Sequence, residues 1–189
     1  MKIGLYGGTF DPIHFGHLIT ATYVKEIRRL DKIIFMPCYI SPLRQQELRS
    51  SSVDRYNMVK ASISETPYFS VSDLEINRAE ISYTIDTIKE LKKTYNEIEL
   101  IIGYDNLLVF DKWKDPDEIF KLVDVVVLNR KVEIESIRNI YFSKAIFINT
   151  PLIEISASQI RNRVANNLNI DFLVPQIVKE YIYKNKLYN

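Results

Sequence analysis

Six short apolar runs, most of them followed by a segment with helical periodicity, constrain this chain more than any other feature. The runs are KIGLYG (2 to 7), KIIFMP (32 to 37), FSVSDLEI (69 to 76), IELIIG (98 to 103), DVVVLN (124 to 129) and AIFINT (145 to 150). Several are apolar at consecutive positions, so both faces need cover, as in a parallel sheet between helical layers. Leu18, Ala21, Thr22, Val24, Lys25 and Ile27 recur at helical spacing. Residues 54 to 64, 83 to 94 and 116 to 122 continue the pattern, with Ser82 as the expected cap of the second of these. Strands alternating with helices in this way predict right-handed crossovers and a doubly wound α/β fold with a mostly parallel sheet.

The tail departs from this rhythm. Residues 156 to 166 begin at a serine able to cap a helix, and PQIVKEYIYK (175 to 184) places Pro at a first-turn position and Ile177, Val178, Tyr181 and Ile182 on one face. The expectation is a single domain over 1 to 189. Residues 1 to about 150 would form its sheet core, and about 151 to 189 a small helical appendage.

A chain of 189 residues can bury roughly 70% of the surface it exposes when unfolded, enough for one sizeable core. No apolar run approaches the roughly 20 residues that cross a bilayer, which argues against a membrane protein. Lys plus Arg number 25 against 24 Asp plus Glu, so the chain lacks the positive field of a dedicated nucleic-acid binder. Met1 and Lys2 lead straight into a strand, without the pattern of a secretory signal, and the lone Cys38 cannot form an internal disulfide. A cytoplasmic protein is expected, with Cys38 as a buried small hydrophobe. The sequence is compatible with a homo-oligomer without pointing to one.

The chemistry concentrates in GGTFDPIHFGH (7 to 17), directly after the first strand, which holds both histidines of the protein. Open α/β sheets bind ligands beyond the carboxyl ends of their strands. Gly7 and Gly8 allow close backbone approach and positive φ, Pro12 stiffens the turn, and the amides of Gly8, Thr9 and Phe10 face a helix start that favours an anion. If the helix begins near Ile13, His14 and His17 share one face and present two donors to that anion, which suggests phosphate. Zinc proteases space helical histidines four apart and add a third ligand, so ligation of a metal by this pair is disfavoured. The segment is neither GxGxxG nor GxxxxGK[ST], which excludes the two commonest phosphate loops.

GGTFDPIHFGH resembles the signature of the nucleotidyltransferases that carry (H/T)xGH, here His14, Phe15, Gly16 and His17. Four later segments resemble one branch of that superfamily, the bacterial nicotinate mononucleotide adenylyltransferases. ISYTIDTIKEL (81 to 91) is similar to the SYTxDTL segment, which implies that Tyr83 and Thr84 hold the nicotinate carboxylate. IIGYDNLLVFDKW (101 to 113) is similar to GxD followed by Trp, which implies Gly103 and Asp105 at the ATP ribose and Trp113 stacked on the pyridine ring. ISASQIR (155 to 161) resembles ISSTxIR, assigning Ser156, Ser158 and Arg161 to the ATP phosphates, with Ala157 in place of a serine. MPCYISPLRQQ (36 to 46) resembles MPxxxxPPHKQ, with Arg44 at the lysine position and Leu43 in place of the histidine. Arg78 to Ile81 and Arg130 to Val132 depart from RxGPSYT and RPG, while Arg55, Met58 and VPQIVKEYI (174 to 182) read as scaffold.

The resemblance implies a Rossmann-like nucleotidyltransferase fold and transfer of AMP from ATP to nicotinate mononucleotide, giving nicotinate adenine dinucleotide and pyrophosphate for NAD biosynthesis. His14, His17 and Arg44 would be catalytic. Gly7, Gly8, Thr9 and Phe10 would hold ATP with the histidines, Thr9 and Arg44 would also contact the mononucleotide, and Mg²⁺ would arrive on the ATP phosphates with no side-chain ligand. The acceptor phosphate is already an anion, so no general base is required. Phosphopantetheine adenylyltransferase lacks SYT and the Trp, and a class I tRNA synthetase fragment would need KMSKS. Transfer to the amide mononucleotide, or a non-catalytic nucleotide sensor on the same fold, would be settled by turnover.

Overall fold

In the computed structural model, which describes residues 1–43, 49–128 and 139–189, the six runs form one all-parallel sheet. The strands are β1 (Lys2–Gly8), β2 (Lys32–Pro37), β3 (Phe69–Val71), β4 (Glu97–Gly103), β5 (Asp124–Leu128) and β6 (Ile146–Ile148). Their order is β3-β2-β1-β4-β5-β6. The sheet grows outward in both directions from β1 and β4, so a crevice opens beyond the carboxyl ends of these two central strands.

Eight α-helices are described: α1 (Phe15–Arg28), α2 (Ser52–Ser62), α3 (Leu74–Arg78), α4 (Thr84–Leu91), α5 (Tyr104–Leu108), α6 (Pro116–Leu122), α7 (Ala157–Ala165) and α8 (Gln176–Lys184). Alternate strand residues divide between two cores, as the period of two demands. Ile33, Phe35, Ile101 and Val126 join Ala21 and Val24 of α1, Met58 and Val59 of α2, Ile160 and Val164 of α7 and Val178 and Ile182 of α8. Ile34, Met36, Leu100, Ile102, Val125 and Val127 face Ile85 and Ile88 of α4, Leu107 of α5 and Ile119 of α6. The tail helices thus pack on the same face as α1 and α2. Gly4 lies where a Cβ would come within 2.8 Å of the terminal methyls of Ile101 and Leu30, so a larger residue there would displace both side chains.

Three expectations are corrected. The third strand was expected over 69 to 76 but ends at Val71. Ser72 Oγ accepts the amide of Leu74 at 3.3 Å, Asp73 carbonyl accepts the amide of Asn77 at 2.8 Å, and α3 begins. These local serine and aspartate bonds outcompete a ladder available on only one side, since β3 is an edge strand. The first helix starts at Phe15, with His14 as its N-cap, two residues later than Ile13. The third concerns capping at α4: Ser82 is displaced by Tyr83 as N-cap, because the Ser82 hydroxyl accepts the amide of Tyr39 at 2.9 Å.

Candidate active site

The loop between β1 and α1 is fastened from behind by its carbonyls. Cys38 N–H donates to Gly8 O at 3.0 Å, Arg55 Nη1 to Thr9 O at 2.9 Å and Arg161 Nη1 to Asp11 O at 2.8 Å. The buried Asp11 carboxylate accepts from Arg49 N–H at 2.8 Å, the Ser50 hydroxyl at 2.5 Å and the Tyr188 hydroxyl at 2.7 Å. Burial raises the Tyr188 phenol, with the Asp11 charge adding to it, so it stays a donor. Neither Gly7 nor Gly8 takes a positive φ; Phe10 does, at 50°. Its ring is buried and occupies the space beside Gly8, where a Cβ would stand 2.9 Å from it. Gly8 is therefore small for Phe10, while a Cβ on Gly7 would meet no atom within 4 Å.

The two histidines meet by stacking. Their ring centroids lie 3.7 Å apart at 25°, His14 from the cap and His17 from the first turn. His14 is buried and His17 half-buried. His17 Nδ1 accepts the backbone N–H of His14 at 3.3 Å, so the neutral ring carries its proton on Nε2, a donor. Gly16 permits the stack, since a Cβ there would stand 2.9 Å from His14 Nδ1.

Two cavities open on this loop. The larger, about 590 Å³, is lined by Gly7 to Asp11, His14, His17, Gly103, Asp105, the stretch from 150 to 159 and Arg161. Every expected ATP residue lies on its wall. At its edge α7 starts with a capping box: Ser156 Oγ accepts Gln159 N–H and Gln159 Oε1 accepts Ser156 N–H, both at 3.2 Å. Ser156 and Ser158 hydroxyls are 3.1 Å apart. Gly103, like Gly7, has open space where a Cβ would be, so neither glycine is explained by packing.

The smaller cavity, about 480 Å³, is lined by Gly7 to Thr9, Cys38, Ser41 to Leu43, Glu75, Ser82 to Thr84, Asp105, Asn106 and Lys112 to Lys114, among others. It contains the expected acceptor residues Thr9, Tyr83, Thr84 and Trp113 together. Trp113 is held by stacking on Phe110, centroids 4.7 Å apart at 23°. Its buried Nε1 has no hydrogen-bond partner among the described residues. Lys114 Nζ sits 4.8 Å over the Tyr83 ring and pairs with Asp86 at 2.9 Å, tying the Trp113 segment to the start of α4. Arg44 lies outside the described residues, as do Arg130 to Val132.

Gly7, Gly8, Thr9, Asp105 and Asn106 line both cavities and form the partition between them. Several side chains here escaped sequence reasoning. Lys112 and Lys114 flank the Trp in DKWKD, a charge signal that was readable; Glu75 sat inside a presumed strand. Glu75 is buried, hydrogen-bonded to Thr87 Oγ1 at 2.6 Å, and burial raises its carboxyl above the ordinary range. Cys38 is pushed up to about 11 by burial, which makes it the inert small hydrophobe expected.

A parallel sheet split at β1 and β4, a histidine-bearing loop on a helix start and two adjoining cavities define a nucleotidyltransferase site. The chain belongs to the cytidylyltransferase-like family, whose pattern matches residues 5–163. It is 41% identical over 196 residues to a "probable nicotinate-nucleotide adenylyltransferase" of Dictyoglomus thermophilum, with 100% of both chains covered. The protein of that description from Clostridium beijerinckii is also 41% identical, over 99% of this chain and 98% of its own. Among solved structures, Plasmodium falciparum nicotinic acid mononucleotide adenylyltransferase complexed with NaAD shares the fold, at 22% identity. Its TM-score is 0.78, over 99% of this chain and 97% of that one. The family and fold expected from the motifs are those found.

Proposed function

We propose that the protein joins AMP from ATP to nicotinate mononucleotide, with ATP in the larger cavity and the mononucleotide in the smaller. The observation that carries this reading is the partition at Gly7, Gly8, Thr9, Asp105 and Asn106, which both cavities share. Two substrates bound on either side meet there. A phosphate oxygen of the acceptor attacks the α-phosphorus of ATP, a P–O bond forms, and the bond to the departing pyrophosphate breaks.

The attacking phosphate is an anion, so the chain supplies alignment and positive or donor groups rather than a base. Donation from His17 Nε2, with His14 stacked behind it, meets charge on the transferring and leaving phosphates. The first turn of α7, with Ser158 and Arg161, holds the leaving end. Among the described residues no group of three or more His, Cys, Asp or Glu could hold a metal; the carboxylates on the larger cavity's wall, Asp11, Asp105 and Glu154, form no such group and stand among amides, imidazoles, hydroxyls and the Arg161 guanidinium. Such walls suit Mg²⁺ that arrives coordinated by ATP oxygens, where it would neutralise phosphate charge. In the smaller cavity, Trp113 offers a face to the pyridine ring, and Tyr83, Thr84, Lys112 and Lys114 surround an anionic acceptor.

No described helix is long and apolar enough to cross a membrane. A cytoplasmic setting, where ATP is at hand and the Cys38 thiol persists, goes with this reading. The test is pyrophosphate release from ATP and Mg²⁺ with nicotinate mononucleotide, its amide counterpart, phosphopantetheine or no acceptor. Release with the first, and at least tenfold less with the others, supports the proposal. Equal or faster release with the amide replaces the acceptor, and binding without release replaces the enzyme with a sensor.

A further inference from the structure

Arg55 on α2 has no accessible surface, yet its guanidinium reaches both cavities' loops from below. Nη1 donates to Thr9 O at 2.9 Å, on the partition, and lies 3.7 Å from Cys38 Sγ. Nη2 donates to Tyr39 O at 2.9 Å, in the loop after β2 that walls the smaller cavity. From Tyr39 the chain of bonds continues, its amide donating to Ser82 Oγ at 2.9 Å and Ser82 N–H donating to Ile40 O at 2.9 Å. Ser82 immediately precedes Tyr83 and Thr84. A continuous hydrogen-bonded path thus runs from the phosphate loop to the acceptor segment, and among the described residues Arg55 is its only side chain that grips both strand-end loops.

The Arg55 charge acts on the buried Glu75 carboxyl only through space, without an ion pair, and does not account for the bonds of the fork. Among the described residues no carboxylate forms an ion pair with Arg55, and its Nε is buried without a partner, a penalty a protein seldom retains for packing alone. What arginine provides and lysine does not is a rigid planar fork whose two arms reach two different carbonyls at once.

We infer that Arg55 is a positioning residue that couples the two halves of the site, so that filling either cavity tightens the other. An occupied cavity holds its own loop in one arrangement. The fork passes that restriction to the second loop, so the second ligand orders less chain on binding. The inference rests on the proposed substrates.

The test is calorimetric binding of nicotinate mononucleotide, with and without a non-hydrolysable ATP analogue, for the intact protein, Arg55→Lys and Ser82→Ala. The intact protein should bind the mononucleotide on the order of tenfold more tightly when the analogue is present. Arg55→Lys keeps the charge and loses the fork, and Ser82→Ala cuts the path further along. In both, the enhancement should fall to about twofold or less, while the affinity for the analogue alone, whose cavity neither residue lines, stays within about threefold, a split that general loss of structure does not produce. If Arg55→Lys does not fold, Ser82→Ala decides. Tightening that persists in the folded variants, or is absent from the intact protein, overturns the inference and leaves the substrate reading intact. Failure of the intact protein to bind the mononucleotide with or without the analogue overturns both.

Discussion

His17 Nδ1 accepts the backbone amide of His14 while the two imidazole rings stack 3.7 Å apart, so one histidine caps the helix that carries the other. The pair is one unit: its geometry fixes the tautomer of His17 and leaves Nε2 as the donor.

Replacing His17 with Ala should therefore remove a transition-state donor, together with the edge contacts of its ring with Phe10 and Tyr6. The expected loss is about 3 kcal/mol of barrier, roughly 100-fold in kcat. Steady-state pyrophosphate release checks it, with thermal unfolding as control; a folded variant at near full rate contradicts the assigned role.

Gly16→Ala makes a subtler case. The added methyl would stand 2.9 and 3.0 Å from His14 Nδ1 and Cε1, so the His14 ring must move and the stack must open. Misplacement of this size near reacting groups costs up to roughly 100-fold in rate. A kcat unchanged from the parent would show that the stack is dispensable.

Trp113 lines the smaller cavity alone, and its ring is already held flat by Phe110. Trp113→Ala should raise KM for the mononucleotide by the worth of one stacking partner, about 1 to 3 kcal/mol. KM for ATP should stay within about twofold. A comparable rise in both would place Trp113 in the scaffold.

At the other end of the sheet, Glu99 is buried in β4 and paired with Lys2 Nζ at 2.6 Å and Arg28 Nη2 at 2.8 Å. Glu99→Ala removes the buried anion shared by Lys2 and Arg28 at the amino end of the central strands, leaving Arg28, among the described residues, only Asp124 at 3.9 Å, and should destabilise the fold by about 3 kcal/mol by chemical denaturation. Because Glu99 lies toward the amino end of β4, kcat of the folded fraction should not change.

Cys38 gives stability a defined alkaline limit. Its folded thiol is pushed up to about 11 against an ordinary 9.0, so between these values the folded state retains a proton that the unfolded state has lost. Stability is complete below pH 9 and falls as pH rises from 9 to 11, by about 2 to 3 kcal/mol. Urea midpoints at pH 8 and 10.5 should converge for Cys38→Ala relative to the parent. Iodoacetamide should label the native thiol at pH 8 far more slowly than the urea-unfolded one.

The alternating runs fixed the sheet because period and burial are local properties, readable from neighbours. The phosphate loop was legible for the same reason, since Gly7 to His17 are contiguous. What escaped was whatever depends on partners far along the chain. Ser82 looked like a cap until Tyr39 claimed its hydroxyl, and Asp11 showed nothing of its bond to Tyr188, 177 positions away. The third strand was overextended because Leu74 and Ile76 are apolar, and apolarity alone does not distinguish an edge strand from a short helix. Arg55 read as scaffold because a buried arginine's targets are carbonyls, which every residue possesses.

The thin partition at Thr9 also matters for molecules other than substrates. A compound that fills one cavity and crosses that wall carries its second binding group into the other at high effective concentration. Two weak fragments, one shaped for each side, would gain more from a short tether across Thr9 than from optimisation of either alone. Selectivity would then come from the smaller side, which Trp113, Lys112, Lys114 and Leu43 help to line.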